Sequence, residues 1–255
     1  MIKFGDKYSR QARLYPGLIV LTPILSLVIA LFPGLLTEEI GKILLTILFS
    51  IGALYFLASI SRTAGKNTER RLLGIWGAWP TTIWLRHSDA NLVPQTKMRY
   101  HDYLDQNVPG ISLPTAEQEN EDPAGADQVY ASAVDWLKEH RRDDQYSLLL
   151  DENIQYGFRR NMRGMKSLAI ILSVISILII CSMIFYKYGV GTNAIENVNT
   201  YKGLIDALAN LLTVPVGAAL GLNIIAMFFW LFYVRDIWVR EAADQYARAL
   251  LSTCE

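Results

Sequence analysis

The chain has 255 residues, with 24 basic and 24 acidic side chains, so its net charge at neutral pH is zero. This balance gives no reason to expect a nucleic acid as a partner, because binding to a phosphate backbone needs an excess of Lys and Arg. Cys181 and Cys254 are the two cysteines, too few for a disulfide framework or a zinc site. Hydrophobic residues make up 52% of the chain, and many of them are gathered into four long stretches.

These four apolar stretches predict transmembrane helices. They cover residues 16–36, 43–60, 167–186 and part of 203–234. A helix needs about 20 mainly apolar residues to cross a bilayer, and each stretch approaches that length. The first stretch is longer than the core of a signal peptide, so we interpret it as a span. We therefore expect an all-α membrane protein whose four transmembrane helices form two hairpins, 16–60 and 167–234.

The basic residues indicate how these spans are oriented. All but three of the 24 Lys and Arg residues lie in the segments 1–15, 61–166 and 235–255, the exceptions being Lys42, Lys187 and Lys202. Basic residues are enriched on the cytoplasmic side of membrane proteins. The bias therefore predicts a cytoplasmic N-terminus, a cytoplasmic domain between spans two and three, and a cytoplasmic C-terminal helix.

The central segment 61–166 has mainly helical patterns. They cover residues 61–78, 95–104, 126–142 and 146–164. Thr115 and Gln118 have the spacing of a capping box at a helix start. Residues 80–89 lack a helical pattern and are interpreted as a loop or a short strand, and the acidic run 117–127 as a solvated loop. The sequence thus predicts a helical domain with one irregular insert.

The fourth apolar stretch carries a stripe of polar and small residues. Steps of three and four residues place five of them on one helical face: Asp206, Asn210, Thr213, Gly217 and Gly221. Gly217 and Gly221 form a GxxxG pattern, which lets two membrane helices approach closely. The stripe has two interpretations, a packing seam within a homo-oligomer or the lining of a conducting path between subunits. The stretch is longer than one span, which leaves three alternatives: a start in the membrane interface, a tilt, or a break or kink at Pro215.

A cluster of aromatic, basic and titratable side chains is the candidate site. Its members are Trp76, Trp79, Arg86, His87, Asp89, Lys97, Arg99 and His101. His87 and Asp89 form a candidate pair for proton transfer, which His101 can join. The alternatives are seating of this loop at lipid headgroups and binding of an anionic, nucleotide-type ligand. Zinc-site spacing and a nucleophile motif are missing, so we expect no metal and no other cofactor.

Short motifs in the same region resemble those of a group of bacterial four-span membrane proteins. The motifs are Trp76-Gly77, Pro80-Thr81-Thr82, Leu85-Arg86-His87, Thr96-Lys97 and Arg99-Tyr100-His101. The resemblance implies a multi-pass protein of the bacterial inner membrane. It carries no assigned activity, so it gives no residue a catalytic role.

The expected function is that of a non-enzymatic inner-membrane effector or sensor. Such a protein would oligomerise and perturb the membrane when its cytoplasmic domain meets a cytosolic partner or ligand, in a stress response or in phage defence. This expectation is an analogy from architecture, two hairpins joined to a compact domain. Two alternatives stay open: a membrane tether for a soluble partner, and a membrane-bound enzyme that uses His87 and His101.

Overall fold

The computed structural model describes residues 6–32, 34, 38–48, 50–190 and 213–255. Within these ranges every regular element is helical, so the all-α class is confirmed for the described part of the chain. The α-helices are α1 (Tyr15–Leu31), α2 (Glu39–Leu48), α3 (Ile51–Trp76), α4 (Pro80–Leu85), α5 (Pro94–Asn107), α6 (Ala116–Glu121), α7 (Pro123–His140), α8 (Ser147–Val190), α9 (Val214–Phe228) and α10 (Asp236–Leu251). π-Helical turns Ser9–Leu14 and Phe229–Tyr233 adjoin α1 and α9.

Within the described ranges, three helical segments are long and apolar enough to cross a membrane: Ser9–Leu31, Ser147–Tyr186 and Val214–Tyr233. The predicted continuous span 43–60 is instead divided between α2 and α3. Ser50 has an extended backbone and caps α3, its hydroxyl oxygen accepting the N–H of Ala53 at 3.3 Å. The interruption follows from the preference of serine for helix N-termini, where its side chain replaces a missing backbone acceptor.

Helix α8 is the centre of the fold, with α1, α3, α9 and α10 all packed against it. It runs for 44 residues without a break. At Gly164 the backbone of α3 comes so close that a Cβ atom would lie 2.4 Å from the carbonyl carbon of Ala64. Nearby, the buried side chains of Glu69 and Arg160 form an ion pair between the two helices. Close backbone contact and a buried charge pair therefore fix α3 against α8.

Helix α9 is held against α1 by one buried amide. Asn223 donates to the hydroxyl of Ser26 at 3.0 Å, across the interface between the two helices. Pro215 lies in the first turn of α9, where a helix needs no N–H donor, and Thr213 before it has an extended backbone. Among the described residues the helix therefore begins at this proline and does not run through it. Asp206 and Asn210 of the predicted stripe lie outside the described residues.

The other helices form a domain around the start of α8 and α10. Its core includes Trp84, Leu85, Tyr100, Leu104, Tyr130, Leu137, Leu250 and Leu251. The capping box of Thr115 and Gln118 starts α6 as predicted. The interpretation of residues 80–89 as loop or strand is wrong for Pro80–Leu85, which forms α4, and is confirmed for residues 86–89, which form a loop. Five of these six residues are buried, so the short helix has no polar face to give a helical pattern.

Candidate functional site

The candidate residues separate into two places in the fold. Trp76 and Trp79 pack against α8 and α10, in a cluster with Leu72 and Tyr156. His87, Asp89, Lys97 and His101 instead line an open cleft of about 780 Å³ between the loop after α4, helix α5 and the segment before α6. Arg86 and Arg99 lie next to the cleft without lining it.

The two tryptophans have contacts within the protein. The guanidinium of Arg240 lies over the ring of Trp76 at 5.1 Å, and Trp79 meets Tyr156 edge-on at 6.1 Å between ring centroids. Trp76 also follows the end of the second apolar stretch by 16 residues, which is roughly 24 Å along a helix. This position favours a packing role for Trp76 over anchoring at lipid headgroups.

Lys97 holds the loop that follows α4. The side chain, only 7% exposed, donates to the carbonyl oxygens of Arg86 and of Asp89, the latter at 2.5 Å. Burial lowers the pKa of Lys97. Its ammonium group therefore caps the C-terminal end of α4, in the manner of basic side chains at helix ends, and is not free for a ligand.

The two histidines also hold backbone carbonyls. Nε2 of His101 lies 2.7 Å from the carbonyl oxygen of Leu85, and Nε2 of His87 lies 2.9 Å from that of Pro114. Burial lowers the pKa of His101, so its ring is neutral at pH 7. A carbonyl only accepts, so Nε2 of His101 carries the proton and Nδ1 is the ring's basic nitrogen. The rings are 4.9 Å apart in a T-shaped arrangement.

Asp89 and His87 share the cleft but do not pair. The carboxylate of Asp89 accepts the backbone N–H of Asn91 and its side-chain amide, both at 2.9 Å. Aspartate often closes its own turn in this way, which competes with any partner two residues earlier. The predicted proton-transfer pair is therefore absent from the described contacts of these two residues.

Glu119 is a site residue that the sequence did not reveal. It belongs to the acidic run interpreted as solvated, yet it is 5% exposed. Its carboxylate accepts from the backbone N–H of His87 at 2.7 Å, the hydroxyl of Ser88 at 2.9 Å and the hydroxyl of Tyr130 at 2.8 Å. Burial raises the pKa of Glu119, but these donors outweigh it and bring the pKa to about 2. The solvated interpretation is wrong at this position because α6 turns Glu119 inward.

The two arginines of the cluster make ion pairs. Arg86 binds Asp127 of α7 through two hydrogen bonds, at 2.8 and 2.6 Å. Arg99 pairs with the side chain of Glu255 at 2.5 Å. Arg86 thus connects the loop after α4 to α7, and Arg99 connects α5 to the C-terminal residue.

The cleft favours a basic or neutral occupant. Val93 and Met98 on its wall are 62% and 61% exposed. Three carboxylates line it, those of Asp89, Asp102 and Asp105, whereas its one ammonium group is bonded to carbonyls. An apolar wall with acidic groups is unfavourable for the anionic ligand considered from the sequence.

The GxxxG face of α9 is open. A Cβ atom added at Gly217 or at Gly221 would meet no other atom within 4 Å, and Thr213 is the exposed residue before the helix. Close packing at these glycines is therefore not used within the described chain.

Among the described residues, no group of three or more His, Cys, Asp or Glu side chains is placed to hold a metal ion. Comparisons of the chain with protein-family models, with curated proteins and with solved structures find no match.

Proposed function

We propose that this protein is a non-enzymatic effector or sensor of the bacterial inner membrane. In this proposal the chain crosses the membrane four times, and its N-terminus, helical domain and C-terminal helix are cytoplasmic. It forms a homo-oligomer through α9 and perturbs the membrane when its helical domain meets a cytosolic partner or ligand, as in a stress response or phage defence. The observation that carries the proposal is the continuity of α8. This one helix begins in the core of the helical domain and ends among the apolar helices α1 and α9.

Four crossings are supported by a contact between the start of α1 and the later part of the second apolar stretch. Gly17, near the start of α1, packs against Leu57 of α3, and α3 then continues into the helical domain. In this proposal the chain comes back across the membrane between Leu31 and Leu57. Lys7 pairs with Asp151 at 2.6 Å, which supports an N-terminus on the same side as the domain.

Signal transfer is supported by the two ends of α8. Ile154, near its start, is buried in the protein, and Ile180 is buried among apolar side chains of α1 and α9. A displacement of the domain would move α8, and an unbroken helix would transmit this movement to α1 and α9, which pack against it.

Self-association is supported by the open glycines of α9. Small residues four apart allow a second helix to approach closely in lipid, where packing is the main attraction between helices. A partner helix from another copy would cover Gly217 and Gly221.

The hydrogen bonds of the cleft favour a non-enzymatic role. Lys97 and His101 use donors to hold backbone carbonyls, and Asp89 holds Asn91. The exposed Val93 and Met98 support one alternative, a membrane tether whose soluble protein partner docks in the cleft.

The test is the membrane potential and growth of bacterial cells that express the protein at high level. We expect wild type to depolarise the cells and Gly217→Leu to lose this effect. Gly74→Leu is the matched control, since Gly74 is also a helical glycine with open space around it. Membrane insertion is checked for all three.

Two results would overturn the proposal. One is a wild type that inserts normally but leaves the membrane potential unchanged even when its natural partner or trigger is supplied. The other is Gly217→Leu with full activity. Loss of activity in a folded His87→Ala variant, with Gly217→Leu active, would favour the enzyme alternative.

A further inference from the structure

A second cavity, of about 420 Å³, lies where α7 ends and α8 begins. We propose that it binds a small, free ligand that carries a phosphate group. The volume is within the range of small-molecule sites. Of the described side chains that line it, Lys138, Arg141 and Arg142 are basic and Asp143 alone is acidic, so together they give it a positive charge where the first cleft is acidic.

The two arginines of this cavity lack carboxylate partners among the described residues. The ion pairs of the domain hold Arg86 and Arg99, but none holds Arg141 or Arg142. Arg142 is exposed, and its Nε donates to the carbonyl oxygen of Lys138 at 3.2 Å. Its remaining N–H donors are free for an anion. A guanidinium group can donate two parallel hydrogen bonds to two oxygens of one phosphate group.

Arg141 is held in position for the same purpose. Its guanidinium lies over the rings of Tyr103, Trp136 and Tyr146, at 5.9, 5.8 and 5.3 Å. Its terminal nitrogens donate to the carbonyl oxygen of His140 and to the hydroxyl of Tyr103. The guanidinium is therefore fixed in place and adds its positive charge to the cavity that it lines.

The start of α8 adds to the positive potential. Ser147 lines the cavity and is the first residue of this long helix. The first N–H groups of a helix lack partners within it and attract anions. The first turn of α8 contains no acidic residue, and the carboxylate of Asp143 lies before it.

The position of the cavity favours a free ligand over a lipid headgroup. Ser147 precedes the apolar stretch that starts at residue 167 by 20 residues, about 30 Å along the helix. The headgroup layer is much thinner than that, on the order of 5–8 Å on each side. The binding site itself depends on the cavity alone. That its ligand triggers the membrane helices rests on the proposed function.

The test is calorimetric binding to the purified full chain in an uncharged detergent. The probes are pyrophosphate and adenosine monophosphate. We expect wild type to bind at least one of them, and Arg142→Gln to weaken binding about tenfold, because a hydrogen bond to a charged group is lost. The matched control is Arg70→Gln, which removes an exposed arginine that is bonded to Asn67 outside the cavity.

Three results would overturn the proposal. They are no binding of either probe at millimolar concentration, equal weakening by Arg142→Gln and Arg70→Gln, and loss of probe binding when the chain is placed in nanodiscs with anionic lipid. The last would identify a headgroup as the source of the phosphate. The assay measures no membrane potential, so its failure is separate from failure of the effector proposal.

Discussion

The ammonium group of Lys97 makes short hydrogen bonds to two carbonyl oxygens that follow α4. In Lys97→Met the apolar stem is kept, but these two part-buried carbonyl oxygens lose their donor. We expect the variant to lose about 2 kcal/mol of unfolding free energy, the usual cost of removing a charged donor from its acceptors. The measurement is the denaturation midpoint in detergent.

Arg99→Met is the control for this prediction. Arg99 lies two positions further along α5 and makes an ion pair in which both side chains are about half exposed. Exposed pairs contribute roughly 0–1 kcal/mol. If the two variants lost the same stability, the capping role of Lys97 would be wrong.

Glu119 makes the stability of the domain depend on pH. Its pKa is about 2 in the folded protein, below the ordinary 4.5. The folded state therefore gains stability above about pH 4.5 and loses it as the pH falls from there toward 2. We expect Glu119→Gln to melt lower than wild type at pH 7, with the difference in melting temperature shrinking by pH 3.

Glu121→Gln is the comparison for Glu119. Glu121 ends the same helix α6 and is exposed. Its substitution is expected to leave the melting temperature at pH 7 nearly unchanged, because surface substitutions seldom change stability by more than about 0.5 kcal/mol. A gap between wild type and Glu119→Gln that stays constant from pH 7 to pH 3 would contradict the assignment.

At the scale of elements, the contact of α3 with α8 depends on Gly164. A Cβ atom there would lie 2.5 Å from the carbonyl oxygen of Ala64, which belongs to backbone and cannot rotate away. We expect Gly164→Ala to destabilise the protein by about 1–3 kcal/mol, because overpacking forces helices apart. The measurement is the thermal midpoint of the detergent-solubilised chain.

Gly74→Ala is expected to increase the stability of the protein, the opposite of Gly164→Ala. Gly74 is inside α3, and a Cβ atom there would meet nothing within 4 Å. Alanine in an open helical position is more favourable than glycine by about 0.5–1 kcal/mol. Equal effects at Gly74 and Gly164 would exclude close packing as the cause.

The elements differ in how well the sequence predicts them, and the reasons are physical. Helix α7 was predictable because an Asp-Pro start and spaced apolar residues such as Ala133 and Leu137 mark one buried face. Helix α4 was not, because six mostly buried residues show no periodicity. The inward turn of Glu119 was hidden as well, since its donors come from His87, Ser88 and Tyr130, which lie 11 to 32 positions away.

At the scale of the whole molecule, the number of crossings decides on which side the domain lies. In the part of the chain that the structure describes, three helical segments have the length and apolar character of a span, while the apolar residues 43–60 are divided at Ser50. If those residues did not cross, the N-terminus and the helical domain would be on opposite sides. With four crossings they would share one side, which is consistent with the pairing of Lys7 with Asp151.

Cysteine labelling in cells distinguishes these topologies. In a background with Cys181 and Cys254 replaced by Ala, single cysteines are placed at Asp6, Gln106 and Asn193. Four crossings predict that a membrane-impermeant maleimide labels position 193 in intact cells, and positions 6 and 106 only after permeabilisation. Labelling of 6 and 106 under different conditions would show that residues 43–60 do not cross. Both positions labelled in intact cells would reverse the orientation inferred from the basic residues, and the helical domain would then face away from any cytosolic ligand.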